Sequence, residues 1–270
     1  MKKTLVSILT AGLAFAMINT SGTVYAEDFT ESQEIPQSKN SEATVTFSAP
    51  TTKVAPYDPL NPDQELKNHD GMTTGYSGPL SLDYVSNLRF NEKDKDGEVT
   101  GLDVTSKNME YKTTSESPYI QVSDYTGTGN GWHVTAQASR FTSSEKNSLN
   151  GAIIALKNGD AVSTSEDVSN GPSIKKNIEL LTGGDSELVV NALPTDTDGE
   201  FESAQGIGTW LMRWFDTGNE TENEQPGEVV LKIPGGTAST GNHTSSINWT
   251  LSSGPVLESS NNNVQIATEK

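Results

Sequence analysis

Trp132-His133-Val134-Thr135-Ala136-Gln137-Ala138 and, much later, Ser246-Ile247-Asn248-Trp249-Thr250-Leu251-Ser252 decide the fold class of this chain. In both stretches every second residue is apolar. A β-strand sends successive side chains to opposite faces, so Trp132, Val134, Ala136 and Ala138 share one face, and Ile247, Trp249 and Leu251 share another. The residues between them, among them Asn248, Thr250 and Ser252, point away. Period-two alternation of this kind marks a half-buried strand rather than a helix. The tripeptides Trp132-His133-Val134 and Trp249-Thr250-Leu251 therefore read as one device used twice.

Working outward, the rest of the chain repeats the pattern of short β-runs separated by Gly, Asn, Asp and Ser clusters, with no heptad signal. Expected strands are 80–85, 120–122, 131–138, 151–157, 187–192, 209–215, 228–233 and 246–252, with Ala43–Phe47 as a first strand. Residues 177–181 read as a helical turn. Strands at this spacing, rich in Val, Ile, Thr and aromatics, predict an all-β, antiparallel β-sandwich or a barrel-like domain with long loops. Pro50, Pro56, Pro59 and Pro62 hold residues 50–75 extended, either as a strap lying on the domain or as a plain linker.

Composition narrows the function. The 270 residues carry 36 acidic against 18 basic side chains, a formal charge of −18. This is the wrong sign for a general nucleic-acid binder, which must neutralise phosphates. Cysteine is absent, which removes thiol catalysis, thiolate metal sites and disulfides. Residues 1–26 have the form of an export signal: Lys2 and Lys3, an apolar stretch to about Ile18, and Val24-Tyr25-Ala26 as a small-residue cleavage site. That stretch is too short to span a bilayer comfortably, so no transmembrane segment is expected in the mature protein. Residues 27–40 read as a flexible acidic lead-in and 258–270 as a polar tail.

No catalytic constellation declares itself, and the chain is expected to be neither an enzyme nor a cofactor binder. His69, His133 and His243 sit in no zinc spacing, nucleophile elbow or triad. Residues 92–103 place oxygen ligands and a glycine roughly as a calcium loop does, but begin with Glu92, end with Asp103 and lack flanking helices, so a solvated hairpin loop is the better reading. Asp196–Glu200 is a weaker version of the same. Trp132 and Trp249 are either sugar-stacking platforms or core residues closing a sandwich, and Trp210 and Trp214, four apart, pose the same alternative.

The two tryptophan motifs with their flanks, 131–141 and 246–255, resemble the proximal and distal motifs of WxL-domain surface proteins of Gram-positive bacteria. The segments 78–90, 122–132, 149–152, 206–210 and 229–235 follow the order of that family, and the resemblance covers residues 41–257 as one domain. Two departures stand out: Val134 replaces the leucine of the first motif, and Tyr125 stands where an arginine is more usual. The resemblance implies a secreted protein of the cell surface, attached non-covalently to peptidoglycan, with Trp132, Val134, Trp249 and Leu251 as the binding residues. It also implies partners among other surface proteins; the alternative is an adhesin or assembly subunit whose main ligand is a host matrix protein or a membrane-anchored protein.

Overall fold

Alternation in sequence becomes alternation in space throughout a computed structural model that describes residues 41–256, apart from 68–70, 75, 91, 94–98, 101–105, 166–169, 196–200 and 219–224. The expected export signal, lead-in and tail, His69, Asp196–Glu200 and the body of the calcium-like loop lie outside the described residues. The chain divides into two units between Thr46 and Phe47. In the first, the described residues 41–46 have no regular secondary structure.

The second unit holds seventeen described strands. In chain order they are β1 Met72–Thr73, β2 Leu80–Val85, β3 Glu92–Lys93, β4 Val99–Thr100, β5 Met109–Lys112, β6 Tyr119–Asp124, β7 Trp132–Ala138, β8 Thr142–Ser143 and β9 Lys146–Asn147. There follow β10 Ile153–Lys157, β11 Asp160–Ser163, β12 Ser173–Ile174, β13 Asn177–Leu181, β14 Glu187–Ala192, β15 Gly208–Arg213, β16 Glu228–Ile233 and β17 Ile247–Ser253. Three large antiparallel sheets result, ordered β1-β2-β6-β15-β11, β13-β10-β16-β5 and β12-β14-β7-β17, with two small hairpins, β3-β4 and β8-β9. The arrangement is sandwich-like and not a closed barrel. Inward side chains of all three sheets meet in one core, including Leu82, Ile120, Val122, Trp132, Val134, Ile154, Leu156, Ile178, Leu180, Met212 and Leu231.

Two expectations are corrected. Residues 177–181 are not a helical turn but β13, paired along its whole length with β10 from Ile153↔Leu181 to Lys157↔Asn177. Ile178 and Leu180 are fully buried while their neighbours Asn177, Glu179 and Leu181 are exposed, which is the period of a strand. Ala43–Phe47 alternates as a strand would, yet it pairs with none of the described residues, and Val45 and Phe47 are 76% and 89% exposed. The segment 92–103 begins as a hairpin, with Glu92 opposite Thr100 and Lys93 opposite Val99.

Strand β6 is buried on both faces. Ile120 and Val122 enter the main core, while Tyr119 and Gln121 meet residues 55–66, which lie over this sheet as a strap. Gln121 fixes the strap at two points: its Oε1 accepts the Tyr57 amide at 2.7 Å and its Nε2 donates to Ala55 O at 2.9 Å. The Tyr119 hydroxyl donates to Tyr57 O at 2.8 Å, and the Arg213 guanidinium donates to Pro59 O at 2.7 Å. Beneath the strap, a bulge between Leu82 and Tyr84 turns Asp83 onto the same face. There its carboxylate accepts bonds from Ser81 and Ser123, each at 2.6 Å, and from Gln121 at 3.0 Å.

Burial raises the Asp83 pKa above the ordinary carboxylate value, outweighing the three hydrogen bonds that act in the opposite direction. The folded protein therefore holds this proton more tightly than the unfolded chain. The stabilisation that comes with it is fully present below the unfolded pKa and is lost as pH rises from there through the folded value. Relative to Asp83→Asn, which does not titrate, the native protein is expected to lose melting temperature over that interval. Parallel thermal melts across acidic to neutral pH check this, and a difference that stays constant would refute it.

Candidate functional site

The two tryptophan motifs, 115 residues apart in sequence by the positions of Val134 and Trp249, are neighbours in one sheet. Strand β7 lies inside it, between β14 and β17, and β17 is its edge. The pairing is antiparallel and unbroken: Trp249 stands opposite Ala136, Leu251 opposite Val134 and Ser253 opposite Trp132. Directly opposed residues share a face, so the inward rows of both motifs merge. Ala136 supplies the space across the ladder into which the large Trp249 indole fits. The ends are tied as well, by the Gly254 amide donating to Gly131 O at 2.9 Å and by a 2.6 Å hydrogen bond between His133 Nδ1 and Gly254 O.

The four residues expected to bind occupy two different environments. Trp132 and Val134 are 0% exposed, and the Trp132 indole N–H is satisfied by Gly206 O at 3.1 Å. Trp249 and Leu251 are half-buried, packed against the rim of the core. The Trp249 ring lies 6.1 Å from that of Trp214, tilted by 31°. Trp210 and Trp214 are both buried, so the alternative of a second sugar platform at that pair is closed and core packing is their role.

Beside Trp249, between the start of β17, residues 85–90 and strands β5 and β16, runs an open groove of about 890 Å³. Its floor is apolar, with Phe90, Tyr111 and Ile247 next to Trp249, and one wall is the Ser- and Thr-rich loop 238–246. His243 holds that loop in place through Ser148 Oγ and Ser239 O, each at 2.8 Å. No acidic side chain is among the described residues that line this groove, although the chain carries 36. Neither Phe90, Tyr111 nor His243 was a candidate on sequence grounds, because the segments that bring them together are far apart in the chain.

The outward rows of the same two strands form a second surface. Asn248 faces Gln137, Thr250 faces Thr135 and Ser252 faces His133. The next rung is Ser139 beside Ser246, joined by the Ser139 amide donating to Ser246 O at 2.8 Å. Among the described residues no helix is long and apolar enough to cross a membrane, and no group of His, Asp and Glu side chains is arranged to hold a metal.

Comparison with known families gives a match over residues 34–255 to the WxL domain, described as a surface cell wall-binding domain. Comparisons with curated proteins and with solved structures return no significant match. The family is one of wall-binding surface domains and not of enzymes. Its match takes in both tryptophan strands, the sheet they build and the strap across the neighbouring sheet, so this chain belongs to the WxL family of cell wall-binding surface domains.

Proposed function

We propose that this protein holds non-covalently to peptidoglycan at the surface of a Gram-positive cell, as a non-catalytic member of a surface complex, and that the paired motif strands are its wall-binding element. The observation that carries the reading is the in-register pairing of β7 with the edge strand β17, which merges both motifs into one structure. Trp249 and Leu251, half-buried at the open edge, supply the contact; Trp132 and Val134 lie beneath and fix the strands that present it. An indole at such an edge packs on the C–H face of a sugar ring while neighbouring polar groups meet its hydroxyls. With a formal charge of −18 the protein is not drawn to an anionic wall over long range, so contacts of this short-range kind must carry the affinity.

Co-sedimentation of the purified protein with sacculi stripped of teichoic acid tests this. The native protein is expected to sediment, and Trp249→Ala to remain in the supernatant while keeping its circular dichroism spectrum. Native protein that stays soluble with and without added calcium refutes wall binding.

A second reading follows from the same edge. A seven-residue edge strand offers unpaired backbone groups to an incoming strand, so a host matrix or membrane-anchored protein would add to β17. Surface retention that survives digestion of all wall glycan favours that partner over the wall.

A further inference from the structure

The face that the motif strands turn to solvent has no charge on it. Across four rungs of β7 and β17 the outward side chains are His133, Thr135, Gln137 and Ser139 against Ser252, Thr250, Asn248 and Ser246. Every one carries a hydrogen-bonding group and none is Asp, Glu, Lys or Arg, in a chain of which 20% is charged. The ion pair Lys175–Glu187 lies off the two motif strands, joining β14 to the residue that follows β12.

Much of this hydrogen-bonding capacity is unspent. His133 and Gln137 use one group each, on Gly254 O and Gly184 O, while the side chains of Thr135, Asn248, Thr250 and Ser252 make no hydrogen bond to the described residues. Asn248 and Thr250 are exposed, and Thr135 and Ser252 are half-exposed. Their spacing is that of the sheet: roughly 7 Å between successive outward residues of a strand and about 4.8 Å between strands. The result is a regular array of hydroxyl and amide groups, open along one side at the sheet edge.

We propose that this uncharged ladder, on the opposite face of the sheet from Trp249 and Leu251, is a second contact surface of the domain, on which it lays the glycan strand of peptidoglycan, a β-linked polymer of N-acetylated sugars. The proposal rests on the wall-binding reading above and names its ligand chemistry. Three polymer chemistries are offered by such a wall, and charge separates them. An anionic secondary polymer needs cations that the ladder lacks, and the net charge of the protein repels it. Stem peptides carry ionised groups for which the ladder has no counter-charge. A glycan strand presents hydroxyl and acetamido groups, which match Thr, Ser, Asn and Gln as mutual donors and acceptors. Its repetition along one axis also suits an array that repeats every second residue.

The test is the triple variant Thr135→Ala, Asn248→Ala, Thr250→Ala in the full-length protein, compared with the native protein in sacculus co-sedimentation, with a soluble hexamer of β-1,4-linked N-acetylglucosamine as competitor. Because each side chain is on the solvent face, the melting temperature is expected to stay within the range of surface substitutions. Apparent affinity is expected to fall by at least about tenfold, the equivalent of roughly one net hydrogen bond, and the hexamer is expected to displace the native protein. The single variant Thr250→Glu, at an exposed position in the middle of the ladder, is expected to weaken binding as well and guards against a folding defect in the triple variant. A folded triple variant that sediments like the native protein overturns the ladder while leaving wall binding intact. Native protein that fails to sediment overturns both.

Discussion

Trp132→Ala is expected to cost about 3–5 kcal/mol of stability, the range for truncating a fully buried indole. The side chain is 0% exposed and sits where the inward faces of the motif sheet and its neighbours converge, with Val134 and Ala136 following it along the same row. Nothing polar fills the space it leaves. The Gly206 carbonyl also loses the indole N–H that it accepts at 3.1 Å, in a buried place where an unpaired acceptor carries its own penalty. With total stabilities of about 5–15 kcal/mol for domains in general, the variant loses a large share of its folding free energy. Wall binding must then fail with it, so a binding assay alone would misassign Trp132 as a contact residue. Urea titration followed by near-ultraviolet circular dichroism separates the two, and a cost below about 1 kcal/mol would show that the indole is not part of the core. Trp249→Ala is the informative counterpart, because a half-buried ring at a sheet edge leaves less of a cavity.

That difference between two tryptophans with the same local pattern marks the boundary of what the sequence tells. Each lies in an alternating run, and alternation correctly puts each on the apolar face. Alternation does not say which strand is interior and which is edge. That follows from the order β12-β14-β7-β17, set by pairings across more than a hundred residues. The same limit explains β13: Asn-Ile-Glu-Leu-Leu is short enough to suit a turn of helix, and it becomes a strand because β10 is there to pair with it. Ala43–Phe47 is the converse, a run with the right period and no partner among the described residues. Strand β5, Met-Glu-Tyr-Lys, alternates over only four residues, and β11, Asp-Ala-Val-Ser, hardly alternates at all; both owe their form to their partners β16 and β15. The prolines of the strap announce a segment without regular strands but not its path: it does not run extended but doubles back, with Tyr57 bridged to Glu65 and the Leu66 amide donating to Pro56 O at 2.8 Å. That Gln121, a polar residue in mid-strand, captures it from more than sixty residues away is not a local property at all. For the candidate site, the outward positions of β17 were legible as outward; that they meet a row of β7 equally free of charge was not.

Gly131→Ala is expected to be the most damaging conservative change near the motifs, at about 2–5 kcal/mol. Gly131 has a φ of 71°, in the left-handed region where a side chain costs about 1–2 kcal/mol. Sterics add to this. A Cβ there would stand 2.3 Å from Ala192 O and 3.0 Å from both Leu193 C and Pro194 N, all of them backbone atoms that cannot swing aside as a side-chain tip does. Forced displacement in a packed region adds about 1–3 kcal/mol. The displaced atoms matter because Ala192 is the residue paired with Trp132 at the end of the β14-β7 ladder. Gly131 O also accepts the Gly254 amide at 2.9 Å, so the strain passes directly to the end of the second motif strand. Gly127→Ala is the control: its φ is 65°, but a Cβ there meets nothing within 4 Å. It is expected to show the conformational cost alone, about 1–2 kcal/mol. If denaturant titration finds the two variants equally destabilised, the close approach at Ala192 O contributes nothing. If Gly131→Ala is the more destabilised and also loosens β17, measured as faster amide exchange at residues 249–253, then the two motifs stand or fall as one structural unit through their shared ends.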